Sequence, residues 1–197
     1  MFRTQLCAAA LVVLTSIGAS AATKTIDFEA FAPGTVLNDV DLGGVKLKSQ
    51  DNILVSTSDP TGLGQTIEKD PFFGKPYKAK FMVSGVRNVS IDVGDFGGDE
   101  DKMFLKAYNA SGDMIAKTKI TLDEFASDML TLSVSTTEDI KQVVFGSKNS
   151  PFPHSVYADN LAFDYAETAP VPLPAGAFLM LTALAGLGFV ARRRKAA

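Results

Sequence analysis

The feature that most constrains this chain is a two-residue rhythm, repeated in short bursts and broken by turn-forming residues. Leu130, Leu132 and Val134 alternate with Thr131, Ser133 and Ser135, and Val89, Ile91 and Val93 alternate with Ser90 and Asp92. Successive side chains on an extended strand point to opposite faces, so each burst builds one apolar face and one polar face. Similar segments cover residues 25–29 (with Ile26 and Phe28 on one side), 45–48, 53–56, 104–108, 114–119, 140–145 and 157–165. Asn109-Ala110-Ser111-Gly112-Asp113 reads as a hairpin loop between two of them. Spacings of roughly twelve residues, with Gly, Pro, Asp and Asn between, predict an all-β antiparallel sandwich. Only residues 122–128 hint at a helical turn, in a connection.

The two ends obey different rules. Residues 1–22 carry Arg3, an apolar stretch over 6–14 and Ala19-Ser20-Ala21. That order predicts a secretory signal peptide, cut by signal peptidase near Ala21 or Ala22. At the other end, a Pro-rich linker over 167–174 leads into an uncharged run that extends to Ala191. The run is about 16 residues from Gly176, or roughly 24 Å as a helix, just enough to reach across a bilayer core. Pro172 and Pro174 mark its start, because proline cannot continue a helix backwards. The expectation is a membrane span over 175–191 and a cytoplasmic tail over 192–197. Arg192, Arg193 and Arg194 hold that tail inside by the positive-inside rule.

Val171-Pro172-Leu173-Pro174-Ala175, followed by an Ala/Leu/Gly-rich apolar run and an Arg cluster, resembles the VPLPA variant of the PEP-CTERM sorting signals. The resemblance covers about the last 27 residues. It implies a Gram-negative bacterium that secretes exopolysaccharide, and an exosortase acting near the proline motif. The tail would be a transient anchor in the inner membrane. The rest of the protein would stand outside and pass to the cell surface or the medium.

Between the ends, the balance of charge changes. The whole chain is at −3, but residues 23–169 hold 14 basic and 22 acidic residues, a net −8. Such a surface repels nucleic acid and anionic membrane. Cys7 is the single cysteine and lies in the signal, so the exported domain, expected over 23–166, has no thiol for a disulfide, a metal or catalysis. Three segments resemble the jelly-roll domains common in this sorting class, which are similar to carbohydrate-binding modules. They are Ile26-Asp27-Phe28-Glu29, residues 89–112 and Tyr157-Ala158-Asp159-Asn160-Leu161.

Asp159 shares a strand parity with Tyr157, Leu161, Phe163 and Tyr165, which predicts a carboxylate on an apolar face. Burying a charge there is costly unless it is paired or coordinated. The jelly-roll resemblance implies a structural calcium ion held by Asp159 and Glu29, with Asp27 as the second choice for the early carboxylate. The alternative is that Asp159 caps a bulge or turn through backbone N–H groups. The acidic run over 95–101 lacks the EF-hand spacing and is expected as a solvated loop.

Catalytic signatures are sparse. His154 is the only histidine, no nucleophile-elbow pattern occurs, and nothing singles out a pair among the carboxylates. Trp is absent, but Phe72, Phe73 and Tyr77 gather around a Gly/Pro-rich loop and form a candidate ligand surface. Their alternative is a loop folded onto the core. The sequence therefore points to an exported, non-enzymatic surface or matrix protein that associates with exopolysaccharide. The alternative is a carbohydrate-active enzyme or glycan-binding module on the same scaffold.

Overall fold

The computed structural model describes residues 21–56, 65–70, 75–95, 100–123, 128–148 and 156–167. Eleven strands run through them in chain order: β1 Ala21–Ile26, β2 Val45–Lys48, β3 Asn52–Val55, β4 Ile67–Asp70, β5 Tyr77–Phe81, β6 Asn88–Gly94, β7 Asp101–Tyr108, β8 Met114–Leu122, β9 Leu130–Ser135, β10 Gln142–Ser147 and β11 Tyr157–Ala166. No described helix is long and apolar enough to cross a membrane. The expected span over 175–191, the sorting motif, the Arg cluster and nearly all of the expected signal peptide lie outside the described residues.

The strands form two antiparallel sheets. One has the order β3-β4-β11-β6-β9, with β1 also paired to β11, and the other has the order β2-β5-β10-β7-β8. The inward positions of both sheets make one core. It includes Ile53, Ile91, Leu132 and Phe163 from the first sheet, and Leu47, Tyr77, Leu105 and Phe145 from the second. Phe81 and Phe163 meet across the interior with ring centroids 5.0 Å apart. The expected all-β sandwich is what the described residues form.

The strand β11 organises the first sheet. Its first half pairs with β4 at Ala158, and its second half pairs with β1 from Leu161 to Ala166, while β6 runs along its other edge. A β-bulge falls between Asp159 and Ala162, with Asn160 in the left-handed region at φ 49°. The extra residue shifts the side-chain alternation by one. Ala158 therefore faces the core opposite Val93, and so do Leu161 and Phe163 beyond the bulge. Asp159 lies opposite Asp92, on the outer side. This corrects the expected common parity of Asp159 with Leu161 and Phe163. Uniform alternation does not survive a two-against-one pairing.

Two strands, β4 and β5, are absent from the sequence reading. The Tyr77/Ala79/Phe81 alternation was hidden by the adjacent Gly/Pro-rich loop. Asp101, expected in a solvated loop, instead opens β7 at an inward position and is fully buried. The expected helical turn overlaps the end of β8 at Leu122, and its residues 124–127 lie outside the described set.

Candidate functional site

Three carboxylates singled out from the sequence, Asp27, Glu29 and Asp159, line one cavity of about 410 Å³ on the outer side of the first sheet. Asp92, Asp128 and Asn160 join them there. The strand β1 ends at Ile26, and Phe28 then turns the chain with φ 60°. That conformation is unfavourable for a bulky side chain. It is held because the Phe28 ring is sunk in the core at 1 % exposure. The consequence is local: Asp27 and Glu29, on either side of Phe28, are set at the cavity. Asn160 does the same for Asp159, since Asn tolerates the left-handed region well.

Hydrogen bonds fix the walls. The backbone N–H of Gln65 donates to Glu29 Oε1 at 2.6 Å, and the Glu29 N–H donates to Asp27 Oδ1 at 3.3 Å. Asp159 Oδ1 accepts the Asn160 N–H at 2.7 Å. This is the turn-capping role weighed for Asp159 from the sequence. Both Asp92 oxygens are engaged, by the Thr131 hydroxyl at 2.6 Å and by Asn160 Nδ2 at 2.9 Å.

Asp159 is 7 % exposed, and its pKa is pushed up to about 6. Burial is the main cause, and Asp92, Glu29 and Asp27 push in the same direction against the Asn160 N–H, which pulls it down. An oxygen-only donor set of this kind suits a hard cation in principle. As the side chains stand, no group of three or more acidic, His or Cys side chains among the described residues is arranged to hold a metal ion.

The other sequence candidates separate. Tyr77 is not part of a ligand surface: it is fully buried, stacks on Phe145 at 4.9 Å, and donates its hydroxyl to the Val156 carbonyl at 2.8 Å. An inward strand position and a satisfied hydroxyl make it a core residue. Phe72, Phe73 and His154 lie outside the described residues. Sequence reasoning missed Asp92 and Asn160. Asp92 stood as the polar alternate of a strand, and only the bulge brings it opposite Asp159.

No protein-family model and no curated protein sequence matches the chain. Among solved structures it is similar to an arabinose-bound α-L-arabinofuranosidase, at 9 % identity and a TM-score of 0.45. That match covers 70 % of this chain and 25 % of the other, so the chain spans about a quarter of that protein's length. It is also similar to the C-terminal family 22 carbohydrate-binding module of Clostridium thermocellum Xyn10B (11 % identity, TM-score 0.41, covering 68 % and 94 %). A family 29 carbohydrate-binding module matches at 13 % identity and a TM-score of 0.37, covering 77 % and 99 %.

Proposed function

We propose that this chain is an exported, non-enzymatic surface protein, sorted by an exosortase through its C-terminal tail and associated with extracellular polysaccharide. The observation that carries the reading is the tail itself: Val171-Pro172-Leu173-Pro174-Ala175, the uncharged run and Arg192-Arg193-Arg194, in that order. The domain is compatible with that traffic. Its first strand starts at Ala21, beside the expected signal cleavage point, and its last ends at Ala166, next to the expected linker. Cleavage there removes the first residues of β1, and the strand that stays, from Thr23 opposite Asp164 to Ile26 opposite Leu161, keeps its pairing with β11. A jelly-roll form of the sandwich belongs to the same reading. Deleting residues 171–197 is expected to change surface display or release, and mass spectrometry of the mature protein should find both ends trimmed. Unchanged localisation together with an untrimmed C-terminus would overturn the reading.

The acidic cavity favours a second reading, a carbohydrate-active enzyme, because a carboxyl with a raised pKa near other carboxylates is how glycosidases arrange an acid. Against it, Asp159 is sunk and bonded to its own backbone neighbour, and both Asp92 oxygens are occupied. These bonds support a structural role, with a calcium ion between Asp159 and the Glu29/Asp27 corner as its proposed ligand. A polysaccharide-degradation assay separates the two: turnover that disappears in Asp159→Asn would establish the enzyme.

A further inference from the structure

The outer face of the five-stranded sheet is built from lysine. Lys46 and Lys48 on β2, Lys78 and Lys80 on β5, Lys102 and Lys106 on β7, and Lys117 and Lys119 on β8 alternate with inward residues of the core. These eight are more than half of the 14 basic residues between positions 23 and 169, although that segment is at −8 overall. No outward position of the five strands holds a carboxylate. Asp39 and Glu100 reach Lys48 and Lys102 from the rim, at 2.6 and 3.3 Å.

The pairing register sets these charges side by side. Lys46 lies opposite Lys80, Lys48 opposite Lys78, and Lys106 opposite Lys117. Val144 on β10 lies between Lys78 and Lys106. One row, Lys48-Lys78-Val144-Lys106-Lys117, therefore crosses all five strands, a span of roughly 19 Å, with neighbouring rows about 7 Å away. Like charges directly opposite one another destabilise a sheet. Lys117 registers the crowding: its ammonium is held below the usual lysine range, chiefly by Lys119, then by partial desolvation and by Lys106 and Lys148.

The floor of this face is apolar but covered. Phe104 and Val144 are 3 % and 9 % exposed without belonging to the core, and Lys106 Nζ stands 4.7 Å from the centre of the Phe104 ring. Lysine stems blanket these residues and present their charges outward. Two open hollows adjoin on the face. One, of about 640 Å³, is lined by Lys48, Lys75, Lys78 and Lys80, and the other, of about 360 Å³, by Lys141, Tyr108 and Asn109. They share Lys80 and Gln142, so they lie side by side.

We propose that this lysine face binds a carboxylate-bearing polysaccharide, laid across the two adjoining hollows. The proposal rests on the polysaccharide association above and names its ligand class and site. A linear polyanion spanning the hollows meets Lys48, Lys75, Lys78 and Lys80 together and passes beside Lys106 across Val144, which a small anion does not. Hydroxyl-rich sugars also match the Gln142 and Tyr108 side chains beside the charges. The face has lysine only; the flat guanidinium forks that favour phosphate are missing from it. At physiological salt the net charge is screened beyond about 8 Å, so a bound glycan feels chiefly the lysines.

The test uses the full chain in neutral detergent, with polygalacturonate as probe, neutral dextran and duplex DNA as comparisons, and a Lys78→Gln/Lys80→Gln/Lys106→Gln variant. Polygalacturonate should bind, and should bind roughly tenfold more weakly on going from about 50 to about 200 mM salt. The variant should lose roughly tenfold or more while its thermal midpoint stays level or rises. Equal binding of polygalacturonate by the variant overturns the site. Preference for DNA, or salt-sensitive self-association in sedimentation that excludes the polysaccharide, overturns the ligand. Dextran bound as well as polygalacturonate overturns the charge argument but leaves polysaccharide association standing. Binding of neither polymer removes both.

Discussion

Replacing Asp159 by Asn should stabilise the domain at neutral pH in the presence of a chelator. Asp159 is a buried residue at the edge of an open cavity, and its pKa is about 6 against 3.8 for the free side chain. The folded state therefore resists ionisation of this group. Below pH 3.8 the group is protonated whether the chain is folded or not, and it imposes no penalty. As pH rises toward 6 the unfolded chain ionises first, so folding stability falls, and above 6 the full penalty is present. The shift corresponds to ~3 kcal/mol, and the open mouth of the cavity reduces that to ~1–2 kcal/mol through solvent screening. In a domain of this size that is a rise of roughly 2–8 °C in Tm. Asn keeps the oxygen that accepts the Asn160 N–H, so the local turn is preserved. Thermal unfolding of the wild type and Asp159→Asn, in EDTA at about pH 4 and about pH 8, makes the comparison. The expected result is a higher Tm for the variant at the upper pH and a much smaller difference at the lower, where most of the penalty is gone. A variant that is less stable at the upper pH would refute the burial argument. Added calcium tests the proposed ion separately: at a hundred times its Kd it should raise wild-type stability by about 2.7 kcal/mol and leave the variant unmoved. No response in either protein sinks the calcium ion while leaving the carboxyl argument intact.

Tyr77→Phe removes the hydroxyl that satisfies the buried Val156 carbonyl and keeps the stack on Phe145. It should cost ~1–2 kcal/mol in urea unfolding with no effect on polysaccharide binding. Loss of binding at constant stability would put the ring back on a ligand surface. Gly85→Ala should destabilise more than Gly112→Ala. Both glycines have positive φ, at 77° and 86°, so both substitutions carry backbone strain of ~1 kcal/mol. Only at Gly85 does the new methyl collide, 2.7 Å from the Ala166 side chain and 2.9 Å from its backbone nitrogen. Equal losses in chemical denaturation would show that Ala166 yields freely.

Much of this protein was written in its sequence because strand alternation is a local property. The strands β2 and β9 have the bounds the pattern predicts, and β7, β8 and β11 are found with only their ends extended. The lysine face was not read from the sequence: Lys46/Lys48, Lys78/Lys80 and Lys117/Lys119 each fall two apart, but only the strand order sets them side by side. Asp27, Glu29 and Asp159 were identified as acids in suggestive places. Their meeting at one cavity needs the β1–β11 pairing, and Asp92 needs the β6–β11 register with its bulge.

By itself, then, the sequence determined the all-β class and the −8 balance of residues 23–169, which depend on composition and on neighbours one or two residues apart. Only the tertiary structure decided that Tyr77 is core, that Asp159 faces outward beside Asp92, and that lysines from four strands share one face. Strand order and register bring together residues tens of positions apart, and one extra residue in a pairing reverses the side on which every later side chain stands.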